Sequence, residues 1–453
     1  MKEVLKQQLN PISQVGKGRR ILFASVPADG HFNPLTGIAV YLKSIGYDVR
    51  WYTSESYAEK LRKLNITHYP FVKALEVTGD NLEEIFPERK KHKGQVAKLN
   101  FDIINVFLMR STEYYADICK IRESFPFDLM IADCIFTGIP FVKEKIKIPV
   151  IAMGIVPLTE TSKDLPPAGL GMEPSFSMFG KLKQAAPRWI ADNVLFRKSK
   201  KALSRLTAEH GLSYEGQTPF DYLVKKTTLL LQSATPGFEY QRSDLGKNVR
   251  FVGPLLPHSS RANKEPWFDE RLHKYEKVVL VTQGTVEKDV EKLLVPTLEA
   301  FKGSNCTLVI ATTGGGGTKA LQERYPQANI IIEDFIPFGD VMPYADVYVT
   351  NGGYGGVMLG IENELPLVVA GVHEGKNEIC ARVGYFNLGV NLKTEKPSPQ
   401  QIGEAVEEVF SNSGYKRHVT ALAREFSLYN SKEIVSKYVS ELIRAQSVLS
   451  TEE

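Results

Sequence analysis

The feature that most constrains this chain is an alternation of short apolar runs with amphipathic segments, which occurs in two separate series. Residues 21–26 form the first strand-like run. After it, Leu35, Ile38, Ala39, Leu42 and Ile45 recur at helical spacing and the pattern stops at Gly46, as expected for a helix with one face on a core. Asn33 reads as the N-cap of that helix and Pro34 as its first helical residue, positions that suit their side chains. Residues 49–53 form the next strand. Strand, crossover helix and strand make a βαβ unit, which requires a parallel sheet covered by helices.

The same pattern returns at 129–132, 150–153 and 229–232. It weakens between residues 164 and 217, where Pro166, Pro167, Gly169 and Gly171 mark a loop followed by amphipathic helices. The run Phe251, Val252, Gly253, Pro254 closes the first series, and the polar, proline-containing stretch after it reads as a linker. A second series has strands at 278–281, 307–311, 330–332, 347–349 and 367–369, with a helical stripe of Val290, Leu293, Leu294, Thr297, Leu298 and Phe301. From about residue 399 to 447 the pattern is helical throughout. A chain of 453 residues exceeds what one core usually holds. The expected organisation is a first α/β domain over 1–253, a linker over 254–276, a second α/β domain over 277–410, and terminal helices over 411–453 packing back toward the first domain.

Composition excludes several classes. The formal net charge is +4, spread along the chain, too little to indicate nucleic-acid binding. Cys119, Cys134, Cys306 and Cys380 form no CxxC pair, so neither a zinc site nor a disulfide framework is expected. Residues 1–20 are polar and do not read as a signal peptide, and no run reaches the length of a membrane helix. A cytoplasmic globular protein is expected.

In doubly wound sheets ligands bind beyond the carboxyl ends of the strands, so the loops there carry the functional signal. His31 follows the first strand just before a helix N-terminus. The positive end of a helix favours a neutral imidazole, which makes His31 a candidate general base; the plainer reading is a satisfied loop histidine. Asp133 ends the run 129–132 and is the candidate to orient that imidazole, or else a strand-end cap. Asp29, in the same loop, reads as a solvated turn residue. In the second half, Gln283, Gly284 and Thr285 follow one strand, and Gly314 to Gly317 another. The sharpest cluster is Asn351, Gly352, Gly353, Tyr354, Gly355, Gly356, between a strand and an apolar helical run. Glycines there let the backbone approach a phosphate, and a helix N-terminus presents unpaired N–H groups to it; a plain tight turn is the alternative. The loop His373, Glu374, Gly375, Lys376, Asn377, Glu378 offers carboxylates for hydroxyls and a cation for phosphate, or is a solvated loop.

Taken together these residues resemble the family 1 nucleotide-sugar-dependent glycosyltransferases of GT-B fold, and most closely the bacterial macrolide and natural-product enzymes. The resemblance runs through Gly30-His31-Phe32-Asn33-Pro34, Asp133, Val252-Gly253-Pro254, Gln283-Gly284-Thr285 and the stretch from Phe335 to Leu392. It implies two facing Rossmann-like domains with a cleft between them. It further implies that His31 deprotonates an acceptor hydroxyl while Asp133 balances its charge, and that a hexose moves with inversion from a nucleoside diphosphate sugar, uridine in the first instance. Phe335 would stack on the base, and the Ile336 backbone would hydrogen-bond it. Thr285 and the amides of Gly353, Gly355 and Gly356 would hold the diphosphate, with no metal and no cofactor. The chain departs from the family's donor signature at Asn351, Gly356, Leu359 and Gly375-Lys376, where most members carry histidine, serine or threonine, glutamate, and an acidic-glutamine pair. A branch of bacterial and fungal relatives is similar to this chain at those positions. The departures therefore read as a rewired donor pocket in which Glu374, Lys376 and Glu378 supply the sugar and ribose contacts.

The resemblance also implies a largely apolar acceptor pocket built by the first domain's loops. Phe32, Phe101, Phe107, Met153 and Phe176 are its candidate lining, with Met109, Met178 and Phe179 nearby; for any single one of them ordinary core packing is the preferred reading. Two basic clusters, Arg89-Lys90-Lys91-His92-Lys93 and Arg197-Lys198-Ser199-Lys200-Lys201, read as solvated helix faces in preference to contacts with an anionic membrane. The competing functions are a non-catalytic nucleotide-sugar-binding partner protein and a lipid or cell-wall glycosyltransferase of the same fold.

Overall fold

A computed structural model describes residues 18–79, 81–259, 265–284, 287–373 and 375–449. Thr285, Glu374 and part of the linker lie outside the described residues. Within them the apolar runs form two parallel sheets. The first contains β1 (Arg20–Ala24), β2 (Asp48–Tyr52), β3 (Thr67–Tyr69), β4 (Leu129–Asp133), β5 (Val150–Gly154), β6 (Leu229–Gln232) and β7 (Val249–Phe251), in the order β3-β2-β1-β4-β5-β6-β7. The second contains β8 (Lys277–Thr282), β9 (Thr307–Thr312), β10 (Ile330–Glu333), β11 (Val347–Thr350), β12 (Leu367–Val369) and β13 (Gly389–Asn391), in the order β10-β9-β8-β11-β12-β13.

The central strands are buried on both faces, which is why they read as continuous apolar runs. In each sheet the chain winds outward from one central strand and then returns to that strand's other side. The reversal falls between β1 and β4 in the first sheet, and between β8 and β11 in the second. Loops that leave adjacent strands in opposite directions at such a point open a crevice. His31 follows β1, Asp133 ends β4, Gly284 follows β8, and the glycine run follows β11. The candidate residues therefore gather at the two crevices.

One local expectation fails. The first helix is Asp29–Ser44, capped at Ala28, so neither Asn33 nor Pro34 marks its start. The amides of His31 and Phe32 donate to the Ala28 carbonyl at 2.9 Å and close the first turn there. Asp29 suits that turn by its charge, and Pro34 lies in the second turn. His31 is consequently a residue of the first helical turn and not of the loop before it.

The two halves are joined twice, by the linker between them and by the terminal helices. The linker runs along the 29–44 helix, where the His258 amide donates to Thr36 Oγ1 at 2.8 Å. It reaches the second half where the Trp267 amide donates to Asp340 at 3.1 Å. The helix Ser413–Phe426 packs on the helix Tyr354–Glu362 of the second half. The last helix, Ser431–Leu449, then returns to the 29–44 helix and buries Val435, Val439 and Ile443 in the first core. Each such side chain contributes roughly 1.5–3 kcal/mol when fully buried.

Between the halves lies a buried ionic cluster. Arg382, 2% exposed, donates to Glu239 Oε1 at 2.6 Å and to Glu378 Oε2 at 3.0 Å, and its guanidinium lies 4.3 Å from the Tyr240 ring centroid. Arg242 stands 3.6 Å from the same Glu239 oxygen. Burial works against the Arg382 charge, but Glu239 and then Glu378 hold its pKa above the ordinary value. Replacing Arg382 with methionine removes the charge that Glu239 and Glu378 share and leaves Glu239 only its 3.6 Å contact with Arg242. It is expected to destabilise the protein by about 3–5 kcal/mol, read from urea unfolding; a loss under about 1 kcal/mol would show that the cluster is not held as described.

Candidate functional site

The first crevice is built around Asp133. Parallel pairing sets Ala24 of β1 level with Ala132 of β4, so the next residue of β4 points its carboxylate at the turn leaving β1. Asp133 is fully buried. Its Oδ2 accepts the Val26 amide at 2.8 Å and its Oδ1 accepts the Ile135 amide at 3.0 Å. Oδ1 also stands 3.3 Å from His31 Nδ1. A carboxylate there is an acceptor, so Nδ1 carries the proton and Nε2 is left as the basic nitrogen. The contact is slightly longer than the usual N–H···O hydrogen bond. The Asp133 field is felt by its neighbours. Burial, with Asp133 adding to it, pushes the Cys134 thiol up to about 12, which keeps it protonated at neutral pH and unsuited to act as a nucleophile. Burial and then Asp133 raise the Tyr114 hydroxyl as well.

His31 opens onto a cavity of about 250 Å³ whose other walls include Leu75, Leu82, Val106, Phe107, Tyr114 and Ile135. The lining is mostly apolar, so a hydroxyl entering beside His31 meets few competing polar groups. Phe107 belongs to this wall. The other aromatic and apolar candidates are placed differently. Phe32 is sealed in the core between Trp51 and Tyr57, with ring centroids 4.5 and 4.4 Å away. Met153, on β5, is equally closed. Phe101 is buried edge-on against Phe86 and beside His92. These three are core residues, because the strand and helix faces that carry them point inward. Phe176 is exposed and does not line the cavity beside His31.

The second crevice carries the glycines. Gly352 takes φ +79°, and a Cβ there would stand 2.4 Å from Cys380 Sγ, so the turn admits only glycine. Gly353 caps the helix Tyr354–Glu362. The first amides of that helix have no carbonyl one turn earlier to bond to, and they form its positive end. Around Gly355 no atom lies within 4 Å of an added Cβ, so the first turn faces open space. Asn351 ties the glycine run to the β8 turn: its Nδ2 donates to the Gln283 carbonyl. The Gln283 side chain accepts the Leu293 and Leu294 amides at 3.0 and 2.9 Å, and so ties the β8 turn to the next helix. Gly284, at φ +72°, completes that turn. Phe335 is 68% exposed and its ring lies over Gly315, 3.3 Å from the Cβ position there, while the Ile336 side chain is in the core.

The loop after β12 divides into two parts. Lys376 starts the helix Lys376–Tyr385. Its charge helps to lower Glu395, whose burial is outweighed by the Val372 and His373 amides at 2.5 and 2.7 Å and by Lys376. Glu395 was not among the sequence candidates, because it lies in a polar turn after β13. Glu378 does not face the donor side: Oε1 accepts the Gly169 and Gly171 amides at 2.9 and 2.8 Å, and Oε2 accepts Arg382. Both oxygens are committed to joining the halves, so the hydroxyl-holding role expected for Glu378 is withdrawn. Tyr354, inside the glycine run, has a related role. Its hydroxyl donates to the Ser233 carbonyl at 3.0 Å and lies 3.4 Å from Gln232 Nε2 across the cleft. The 354–362 helix also touches the 29–44 helix that carries His31. The two crevices therefore face each other. Among the described residues no group of three or more His, Cys, Asp or Glu side chains is arranged to hold a metal ion.

No family model matches the chain. It is 34% identical over 411 residues to the 4'-demethylrebeccamycin synthase of Lentzea aerocolonigenes, covering 90% of this chain and 96% of that protein. It is 29% identical over 447 residues to UDP-glucosyltransferase 1 of Beauveria bassiana, covering 93% and 94%. Among solved structures, the glycotransferase of kitacinnamycin superposes with a TM-score of 0.73 at 18% identity, over 94% of this chain and 99% of that one. The calicheamicin glycosyltransferase CalG4 gives 0.71 at 18% identity, over 94% and 98%. These structures share the GT-B fold with this chain.

Two alanine substitutions separate the glycines by sign. Gly355→Ala places a methyl in open helical space and is expected to raise stability by about 0.5–1 kcal/mol. Gly352→Ala combines a left-handed backbone with a clash and is expected to lose at least about 1 kcal/mol. Thermal unfolding of both variants distinguishes them, and equal effects would contradict the geometry of the turn.

Proposed function

Because this chain belongs to the family 1 nucleotide-sugar-dependent glycosyltransferases of GT-B fold, and is a glycosyltransferase, we propose that it moves a hexose from a uridine diphosphate sugar to a hydroxyl of a small, largely apolar or aromatic acceptor, with inversion at the anomeric carbon. The observation that carries this reading is the contact of His31 with a fully buried Asp133 at the mouth of an apolar cavity, opposite a glycine-rich helix start. The name of one relative, a UDP-glucosyltransferase, supports the donor.

The acceptor enters the cavity beside Phe107 with its hydroxyl at His31 Nε2. Nε2 takes the proton as the acceptor oxygen bonds to the anomeric carbon. The bond from that carbon to the diphosphate oxygen breaks, and its electron pair leaves with the nucleoside diphosphate. Asp133 keeps its charge and stabilises the imidazolium that forms. The amides at Gly353, Gly355 and Gly356 and the positive end of the 354–362 helix take up the negative charge of the leaving group. The resemblance gives Thr285 a share in holding the diphosphate. Phe335 stacks on the base and the Ile336 backbone hydrogen-bonds it. Lys376 stands with Gln283 and Gly284 at the phosphate end, and Glu374 holds sugar hydroxyls. On this reading the reaction uses neither a metal ion nor a cofactor.

His31→Ala is expected to lower turnover by about 10²–10⁴-fold, while a uridine diphosphate sugar at a hundred times its Kd still stabilises the variant by roughly 2.7 kcal/mol in thermal unfolding. Unchanged turnover would remove His31 as the base. Loss of the nucleotide-sugar stabilisation would show that His31 belongs to the donor site instead.

A further inference from the structure

The helix Met178–Ile190 is inverted with respect to the protein it belongs to. Gln184, 3% exposed, is its buried residue, and both ends of that amide bond the Ser175 backbone, at 2.8 and 2.9 Å. On the outer side Met178, Phe179, Leu182 and Trp189 are 82%, 86%, 69% and 64% exposed. At 100° per residue these side chains, with Ile190, fall on one arc of about 120°. Soluble monomers rarely present a contiguous apolar face of this kind to water. A polar residue inside and a tryptophan and phenylalanine outside is the arrangement of a helix whose outer face is covered in use.

The charges around the face indicate what covers it. Between Met178 and Arg205 there are eight lysines and arginines against one acidic residue, Asp192, which is paired with Lys200. Lys181 and Lys183 are exposed on the same helix, on either flank of the apolar arc. The basic run 197–201, which the sequence alone presented as a solvated face, continues directly from it. A second copy docking face to face would bring two such basic surfaces together, and like charges in apposition oppose association. An apolar face with aromatic residues, flanked by lysine and arginine, matches an anionic lipid surface.

Its place in the fold gives that contact a use. The following helix, Arg197–Glu209, packs on the turn Ile103–Phe107, which supplies Val106 and Phe107 to the cavity beside His31. Asn100 Nδ2 also donates to the Leu195 carbonyl at 2.6 Å. We propose that the 178–190 helix and the basic run behind it are a peripheral docking surface for anionic membranes, lying flat in the lipid interface beside the acceptor cavity. This does not depend on the reaction assigned above: turnover of a water-soluble acceptor leaves the surface idle.

The test is co-sedimentation of the full chain with vesicles of phosphatidylcholine alone and of phosphatidylcholine mixed with phosphatidylglycerol. The protein is expected to pellet with the mixed vesicles and not with the neutral ones, and to be released by high salt. Leu182→Ser combined with Ile190→Ser should lower partitioning by roughly tenfold or more, and Lys181→Gln combined with Lys183→Gln should lower it as well. Turnover of a water-soluble acceptor should be unchanged in both variants. Of the three tryptophans, Trp51 is fully buried and Trp189 is exposed. The emission of the protein should therefore shift to the blue with mixed vesicles, and Trp189→Phe should abolish that shift. Failure of the unsubstituted protein to pellet with mixed vesicles overturns the proposal. So does a dimer that the Leu182 and Ile190 substitutions dissociate, which would assign the face to a second copy.

Discussion

The site depends on one carboxylate placed where water does not reach. Asp133 ends a central strand with no solvent exposure, and an ionised carboxylate in such a place is tolerable only with its acceptor sites filled. Here they are filled by two backbone amides from the turns leaving β1 and β4 and by the His31 ring. The same contacts do three things. They hold the β1 turn to the end of β4, they orient the imidazole, and they set a fixed negative charge behind it. Burial, and then that charge, raise the Cys134 and Tyr114 groups. The first turn of the 29–44 helix, starting earlier than its Asn-Pro signal suggests, carries His31 onto the carboxylate.

A base on one domain is useful only if the other domain holds its substrate at the right place, and the cleft is bridged by unusually committed contacts. Arg382 is shared between Glu239 of the first half and Glu378 of the second. Glu378 in turn holds the backbone of the 169–171 loop, and Asn377 donates to the Gly169 carbonyl at 2.8 Å. Tyr354, in the glycine run itself, bonds Ser233 across the cleft. These residues lie in or beside the stretch where this chain departs from the usual donor signature. Part of that departure is thus spent on joining the domains, and the second half's sugar contacts must come from fewer side chains than the loop's composition suggests.

Most of the architecture was legible in the sequence because the central strands are buried on both faces and written as apolar runs. The strands it did not show, β3, β7 and β13, are three residues long, lie at sheet edges, and are partly exposed; such short edges leave little pattern. Strand-end positions of His31 and Asp133 were readable, but their contact joins residues 102 apart and follows from sheet order. The direction of single side chains was not readable. Phe32 and Met153 look like pocket residues by type and are core residues by orientation, and Glu378 looks like a sugar ligand by its loop and is an interdomain tie by its reach. The 178–190 helix has an ordinary amphipathic pattern; only the structure shows that its apolar side faces out.

The proposed reaction is a single displacement driven by a base on the first domain against a sugar held by the second. The most direct measurement is the anomeric configuration of the first product formed, by proton NMR during turnover of an α-linked uridine diphosphate glucose. The account predicts the β-glycoside, with no α-glycoside at the earliest times. An α-glycoside as the initial product would mean two displacements or internal return, and would contradict the role given to His31 and Asp133.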